Sequence, residues 1–521
     1  MPFHFFREDV VRRVCLYLLP LFIFLNSIVA FPQMQRGSPE ERANRYLESV
    51  RNQPGLALAF LRDMPKGGDL HNHLGGAIYA EDLIDYAAQD KLCFDRSTSS
   101  AVAGECDSAC AANAARPAAE CSYHDPNLYN SIIDAWSMRN WERGHESGHD
   151  HFFATFSRFS LASRNHVGEE IARALQRAAA DHLQYLELMH TIGGSQSAEL
   201  GSKIGWDPDF ASMREKLLAG GLRDAVAAAR KELDQDDQIV RKINSCDTPS
   251  ALPACGVHVR YLYQVLRGLA PEQVFAQILT GFELASADSR VVGLNLVMPE
   301  DWYVPMRDFN LHMRMLDYLH GIYPKVHISL HAGELAMGLV PPEGLSFHIR
   351  HSIEQGHAQR IGHGVAVMNE HNAIDLLHEM AQRNILVEIC LTSNDVILGV
   401  KGNDHPLSVY RKFKVPVALA TDDEGVSRSD MTHEYLRAFE SYRLSYLDLK
   451  KMARQSLEHS FLPGASLWSD IDHARLVTAC PSKQETASTE SRSCERLLNE
   501  SEKARVQWKL EREFTAFEKQ F

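Results

Sequence analysis

Two adjacent carboxylates, Asp422 and Asp423, close the apolar run Val417-Ala418-Leu419-Ala420-Thr421. Three other strand-like runs also end in imidazoles or acids. They are Gly68-Asp69-Leu70-His71-Asn72-His73, Val326-His327-Ile328-Ser329-Leu330-His331-Ala332-Gly333-Glu334 and Arg360-Ile361-Gly362-His363-Gly364. Taken singly, an Asp pair reads as a helix cap with a solvated neighbour, and a lone His as a core residue. Together they read as chemistry. His71 and His73 stand two apart in an extended segment and so point to one face. With His331 and Asp422 they form a donor set for a divalent cation, zinc first, with iron, cobalt or manganese able to use the same atoms. Glu334, His363 and Asp423 remain for acid–base work.

A cation with four protein ligands and an open position lowers the pKa of bound water to roughly 7. His363 could orient that water and take its proton. Glu334, three residues beyond His331, could shuttle protons to a substrate without binding the cation. Such an arrangement adds water to an electrophilic carbon and expels a leaving group that must be protonated. A second, bridged cation needs a further ligand on a middle strand. The run Val292-Gly293-Leu294-Asn295-Leu296-Val297 offers no Lys, His or carboxylate before Glu300, so one cation per chain is expected.

The elements that must hold these residues are eight short apolar runs. They are Lys66–His71, Gln184–Met189, Val257–Val265, Val291–Val297, Val326–Leu330, Arg360–Gly362, Leu386–Leu391 and Val415–Ala420, with helix-length segments between them. Continuous apolar strands separated by helices indicate a parallel sheet covered on both faces. Eight of them predict a closed (β/α)8 TIM barrel, whose active site lies at the carboxyl ends of the strands. The polar residues fall at those ends in runs one, five, six and eight.

The stretch between runs one and two is too long for a single crossover. It holds an insertion at about 93–150 and then Asp150–Phe159, where Phe152, Phe153, Phe156 and Phe159 recur at helical spacing. That stripe is either core-facing or a lid giving an apolar wall to a ring-shaped substrate. Met431–Leu457 predicts a helix, and a C-terminal helical extension at about 465–521 ends in the charged, aromatic-punctuated segment Ser501–Phe521.

With 521 residues and 45% hydrophobic content the chain can bury a large core. Its net charge of −14, without a basic cluster, argues against a nucleic-acid partner. Residues 1–30 read as a signal peptide: Arg7, Arg12 and Arg13, the apolar run Val14–Leu25, and a cleavage position after Ala30. The run contains Pro20 and is short for a bilayer span, so no stable membrane span after cleavage and export to a periplasm or the extracellular space are expected. The cysteines agree. Cys246 and Cys255 flank one short loop, Cys480 and Cys494 another, and both suggest disulfides. Cys93, Cys106, Cys110 and Cys121 crowd the insertion with their pairing open, and the lack of CxxC pairs argues against a zinc ribbon. Cys390 sits alone in an apolar run.

Five motifs in order carry a family resemblance: Met64-Pro65-Lys66-Gly67-Gly68-Asp69-Leu70-His71-Asn72-His73-Leu74-Gly75-Gly76-Ala77, His331-Ala332-Gly333-Glu334, Arg360-Ile361-Gly362-His363-Gly364, Leu391-Thr392-Ser393-Asn394 and Thr421-Asp422-Asp423. They resemble the adenosine/adenine/AMP deaminase family. The layout is similar to its extracellular growth-factor-related branch or to a bacterial periplasmic relative. The resemblance implies one Zn2+ on His71, His73, His331 and Asp422, and hydrolytic deamination of adenosine to inosine and ammonia. It implies that Glu334 protonates purine N1, that His363 positions the attacking hydroxide, and that Asp423 contacts the water-derived oxygen and hydrogen-bonds N7. Because N7 is an acceptor, Asp423 would be protonated with substrate bound. A homodimer through added helices is a further implication.

The departures fall on substrate recognition. Gly75 stands where relatives carry a carboxylate that reads the sugar, Met298 where a glycine N–H meets purine N3, and Glu424 where a proline is common. A nucleoside fits better than a nucleotide, since no arginine cluster or glycine-rich phosphate cradle accompanies the motifs. The other readings are a barrel hydrolase acting on an amide or ester, and a growth-factor-like binding protein with secondary catalysis.

Overall fold

The computed structural model describes residues 37–521 except 108, 109, 112, 143, 145 and 481–491. The signal-peptide reading of residues 1–30 lies outside the described residues. Eight strands form one sheet: β1 Gly67–His73, β2 Leu183–His190, β3 His258–Leu266, β4 Val291–Val297, β5 His327–Ala332, β6 Arg360–His363, β7 Leu386–Ile389 and β8 Val417–Leu419. Each is parallel to its neighbour in chain order. The ring closes between last and first: the Asp422 N–H donates to the His71 carbonyl (2.9 Å) and the His73 N–H to that of Asp422 (3.1 Å). The chain is a (β/α)8 TIM barrel, as the eight runs predict, and its seam passes through three of the candidate ligands.

Helices such as Pro271–Ala287 after β3 and Tyr303–Ile322 after β4 cover the sheet, so most strands are buried on both faces and read as apolar runs. β1 is the exception. Its sequence Gly-Gly-Asp-Leu-His-Asn-His is polar yet nearly wholly buried. Two of its polar side chains are tied to the segment just after β8: Asp69 accepts from Thr421 Oγ1 (2.5 Å), and Asn72 Nδ2 donates to Thr421 Oγ1 (2.9 Å).

Below the candidate ligands the barrel interior holds a charged relay. Arg360 donates to Glu187 Oε2 (2.5 Å) and Glu388 Oε1 (2.6 Å), and lies 3.8 Å from the centre of the Phe461 ring. A buried guanidinium shared by two carboxylates avoids the cost of an unpaired buried charge.

The helix expected over Met431–Leu457 is two helices, Met431–Tyr442 and Tyr446–Glu458. Arg443 at φ 54 breaks it, and a capping box between Ser445 and Asp448 starts the second. The terminal helix Glu502–Glu518 packs on Pro39–Ser49 and Tyr446–Glu458, with a buried Arg454–Glu511 pair at 2.6 Å. Disulfides join Cys93–Cys106, Cys110–Cys121, Cys246–Cys255 and Cys480–Cys494, and Cys390 is a buried free thiol. The first two staple the insertion, which runs from a hairpin (Cys93–Asp95 with Ser100–Val102) through helix Pro126–Ala135 into helix Gly148–Ser163. No helix among the described residues is long and apolar enough to cross a membrane.

Candidate active site

The carboxyl ends of β1, β5 and β8 bring four donor atoms together. Nε2 of His331 lies 3.1 Å from Nε2 of both His71 and His73, and Asp422 Oδ1 lies 3.4 and 3.3 Å from the same two imidazoles. A tetrahedral cation with arms of about 2.0–2.1 Å has donor–donor edges of about 3.3–3.4 Å. The two edges to Asp422 match that figure and the two to His331 fall slightly short of it, while His363 also brings a ring nitrogen within 4.8 Å of ligand atoms of His71, His331 and Asp422.

The other side of each ligand is also fixed. His71 Nδ1 donates to Glu388 Oε2 (2.7 Å), His73 Nδ1 to Gln264 Oε1 (3.1 Å) and His331 Nδ1 to Asn295 Oδ1 (2.8 Å). The backbone N–H of His331 also donates to Asn295 Oδ1, which fixes that amide's orientation. With all three Nδ1–H groups spent on oxygens, all three Nε2 atoms face the centre, the ring orientation that metal binding requires. Ser393 Oγ donates to Asp422 Oδ2 at 2.5 Å, leaving Oδ1 turned inward. The residues therefore fit a divalent cation.

Asp422 (φ 60) and His363 (φ 66) both adopt left-handed backbone, strain of the kind that collects at functional sites. Two motif glycines are explained by close approach. A Cβ on Gly76 would stand 1.6 Å from Asp423 Oδ1, and one on Gly362 would stand 2.5 Å from His71 Cε1.

His363, at the end of β6, is neutral and its tautomer is set from a distance. The Leu407 N–H donates to His405 Nδ1, so His405 Nε2–H donates to Asn394 Oδ1 (3.1 Å). The Asn394 amide then donates to His363 Nδ1 (3.0 Å), which leaves the proton on His363 Nε2. Burial pushes its pKa down to about 3. The ring presents an unpartnered Nε2–H in the buried site, and this favours orienting over proton acceptance.

Glu334 and Asp423 each keep one buried oxygen without a partner. Burial, reinforced by Asp422 and Glu300, holds the Glu334 carboxyl well above the ordinary carboxylate range. Burial and its neighbour Asp422 do the same for Asp423. Asp422 itself is held below that range, against burial, by its bond to His71 and the neighbouring imidazoles. Burial lowers His73 to about 4, whereas the bonds of His71 to Asp422 and Glu388 overcome burial and carry it up to about 10. One carboxyl is thus held below its ordinary range beside two held above it, the kind of separation that acid and base roles use.

Above these groups lies a cavity of about 240 Å³ lined by His73, His331, Glu334, Asp422 and Asp423 together with apolar side chains. The phenylalanine stripe divides: Phe152, Phe153 and Phe156 line the cavity, while Phe159 packs into the insertion's core against Trp136. Met298, at φ 86, lines the cavity, its carbonyl taken by Arg267 and its sulfur accepting from the Gly268 N–H (3.3 Å). Gly75 does not line it and has open space where a side chain would project.

Gln264, Asn295, Glu388, Ser393, Asn394 and His405 escaped the sequence reading as site residues. Gln264, Asn295 and Glu388 are polar residues inside otherwise apolar strands, a signal that was present but was not read as one.

Barrel and donor set define the metal-dependent amidohydrolase type of fold. Residues 137–472 match the family model for adenosine deaminase, and the chain belongs to that family. It is 33% identical over 135 residues to an adenosine deaminase of Clostridium perfringens, covering 26% of this chain and 37% of that one. It is 39% identical over 137 residues to an adenosine deaminase of Salmonella dublin, covering 26% and 38%. The matched stretches thus span under half the length of these curated relatives. The apo structure of the N6-methyl-AMP deaminase from Arabidopsis thaliana shares the fold, with TM-score 0.50, 20% identity, and coverage of 78% of this chain and 94% of that chain.

Proposed function

We propose that the chain is an exported aminohydrolase that holds one zinc ion and converts a 6-aminopurine nucleoside to its 6-oxo product and ammonia. The observation that carries this reading is the four-atom cluster of His71, His73, His331 and Asp422 beneath a cavity edged by the unpartnered oxygens of Glu334 and Asp423. A cation on those four residues supplies Lewis acidity and lowers the pKa of water to about 7. The chain supplies the rest. Glu334, its carboxyl held well above the ordinary range, donates to ring N1 as water adds at C6, and the carboxylate so formed takes up the proton that the water gives up. Asp423, also protonated, donates to N7, which can only accept. His363 Nε2–H orients the attacking oxygen; Glu334 passes the water's proton to the departing amine, which leaves as ammonia, and regains a proton from the C6 hydroxyl as the 6-oxo group forms.

A nucleoside suits the cavity better than a nucleotide, since no Lys or Arg is among its lining residues to pair with a phosphate. The four disulfides suit an oxidising compartment. The test uses protein recovered from the periplasm or medium of an expressing cell, assayed for ammonia release from adenosine and other 6-aminopurine nucleosides. Activity should vanish on chelation and return with one equivalent of zinc. Chelator-insensitive activity, or none with any of these substrates, removes the proposal; recovery only from cytosol with Met1 intact removes export.

A further inference from the structure

The pocket has two unlike halves. Its floor is the ligand cluster with Glu334 and Asp423; everything else that lines it is apolar apart from Gln264 and the indole N–H of the half-exposed Trp302. Gln264 is already committed, its Oε1 to His73 Nδ1 (3.1 Å) and its Nε2 to Thr191 Oγ1 (3.4 Å). No Ser, Thr, Tyr, Asn, Lys or Arg side chain is among the lining residues. The backbone there offers little more: Pro299 has no N–H, and the Met298 carbonyl takes two bonds from Arg267 (2.9 and 2.7 Å).

This wall is built, not incidental. Phe152, Phe153 and Phe156 come from the helix Gly148–Ser163, and Trp302 from the loop after β4. The two segments are joined by His149 Nε2 and Asp301 Oδ1 at 2.9 Å, and by the Phe153 and Trp302 rings with centres 6.4 Å apart.

C6 and N9 lie on opposite edges of a purine. A ring that presents C6 to the ligand cluster therefore sends its N9 arm toward the aromatic wall. Among the lining side chains, ribose hydroxyls there find only the Trp302 indole N–H uncommitted, and a hydroxyl left against such a wall without a partner is costly. An arm with fewer hydroxyls, or an alkyl arm, loses nothing and gains apolar contact.

From this we infer that the sugar-side half of the pocket selects 6-aminopurines whose N9 arm is deoxygenated or alkylated over adenosine itself, a reading that rests on the deamination proposed above. The experiment compares kcat/KM of the zinc-loaded full chain for adenosine, 2′-deoxyadenosine, 5′-deoxyadenosine, 2′,3′-dideoxyadenosine and 9-butyladenine, read as ammonia release. Each hydroxyl removed should raise kcat/KM by about tenfold, the scale on which an apolar pocket discriminates. Phe156→Asn, which places an amide on the wall, should cut the preference for the deoxygenated substrates at least about threefold. Adenosine deaminated as well as or better than the deoxygenated compounds overturns this inference and leaves deamination standing. Failure of every 6-aminopurine to yield ammonia overturns both. A preference of unchanged size in a folded Phe156→Asn chain removes the wall as its cause.

Discussion

Floor and wall of this pocket are built on opposite plans. On the floor, each ligand is held from behind by a polar group, and those groups sit on barrel strands or on the helix that follows β7: Gln264 on β3, Asn295 on β4, Glu388 on β7 and Ser393 on helix Leu391–Leu398. Barrel closure itself sets Asp422 beside His71 and His73. The wall is apolar, comes from helix Gly148–Ser163, the ends of β3 and β4, the loop after β4 and helix Leu391–Leu398, and is clasped at its rim by the His149–Asp301 ion pair. Chemistry that needs donor atoms within tenths of an ångström rests on the over-determined part. Substrate choice rests on the part that can vary without unfolding the barrel.

The largest effect should come from Glu334, which belongs to the floor but contributes no donor to the cluster. Glu334→Gln should lower kcat by roughly 10²- to 10⁴-fold, the usual worth of a general acid. Metal content, measured by mass spectrometry, should not change. Because burial first, then Asp422 and Glu300, keep this carboxyl protonated well above the ordinary range, wild-type activity should fall on the alkaline side as the proton is lost. The substitution should remove that limb from the residual activity. Loss of metal together with activity would place Glu334 among the ligands instead.

Asn295→Ala tests whether the supporting atoms matter. It strips the oxygen that accepts from both the ring Nδ1 and the backbone N–H of His331. Metal retention against a chelator should weaken by about 10- to 100-fold. Stability should fall by roughly 1–3 kcal/mol for the buried N–H left unpaired. Unchanged retention would mean that closure of the barrel alone fixes His331.

What the sequence disclosed follows the same division. His71, His73, His331 and Asp422 were readable because strand ends have fixed places in a parallel barrel, and a strand's two-residue period says which side chains share a face. The supporting residues were less readable. Asn295 sits in an apolar run and is no metal donor, and Glu388 sits in Leu386–Leu391, whose apolarity marks a buried strand and says nothing of a partner for His71. The link from His405 through Asn394 to His363 joins β6 to segments after β7, and no local period reveals such a contact. On the wall, helical spacing of the phenylalanines announced a buried stripe. Which rings face core and which face the cavity depended on how the insertion folds back over the barrel. The break at Arg443–Ser445 did carry a local signal, since Ser445 and Asp448 stand three apart as a capping box does, yet an apolar period continuing on both sides concealed it.

The smallest effect separates the two regions most sharply. His149 and Asp301 clasp the wall helix to the loop after β4, and neither touches the ligand cluster. Although burial lowers the pKa of His149, its bonds to Asp301 and Asp150 raise it above the ordinary value. A raised folded-state pKa means the charged clasp is fully formed below the ordinary value and fades as pH climbs through the raised one. Asp301→Asn should therefore raise KM by about threefold at pH 6, as expected for a partly exposed ion pair. The variant and the parent should converge at high pH, as His149 loses its proton in both, and kcat should not move at either pH. A KM shift of equal size at both pH values would make Asp301 a packing residue. A change in kcat at constant KM would mean that closure of the wall reaches the floor, and the two plans would then be one.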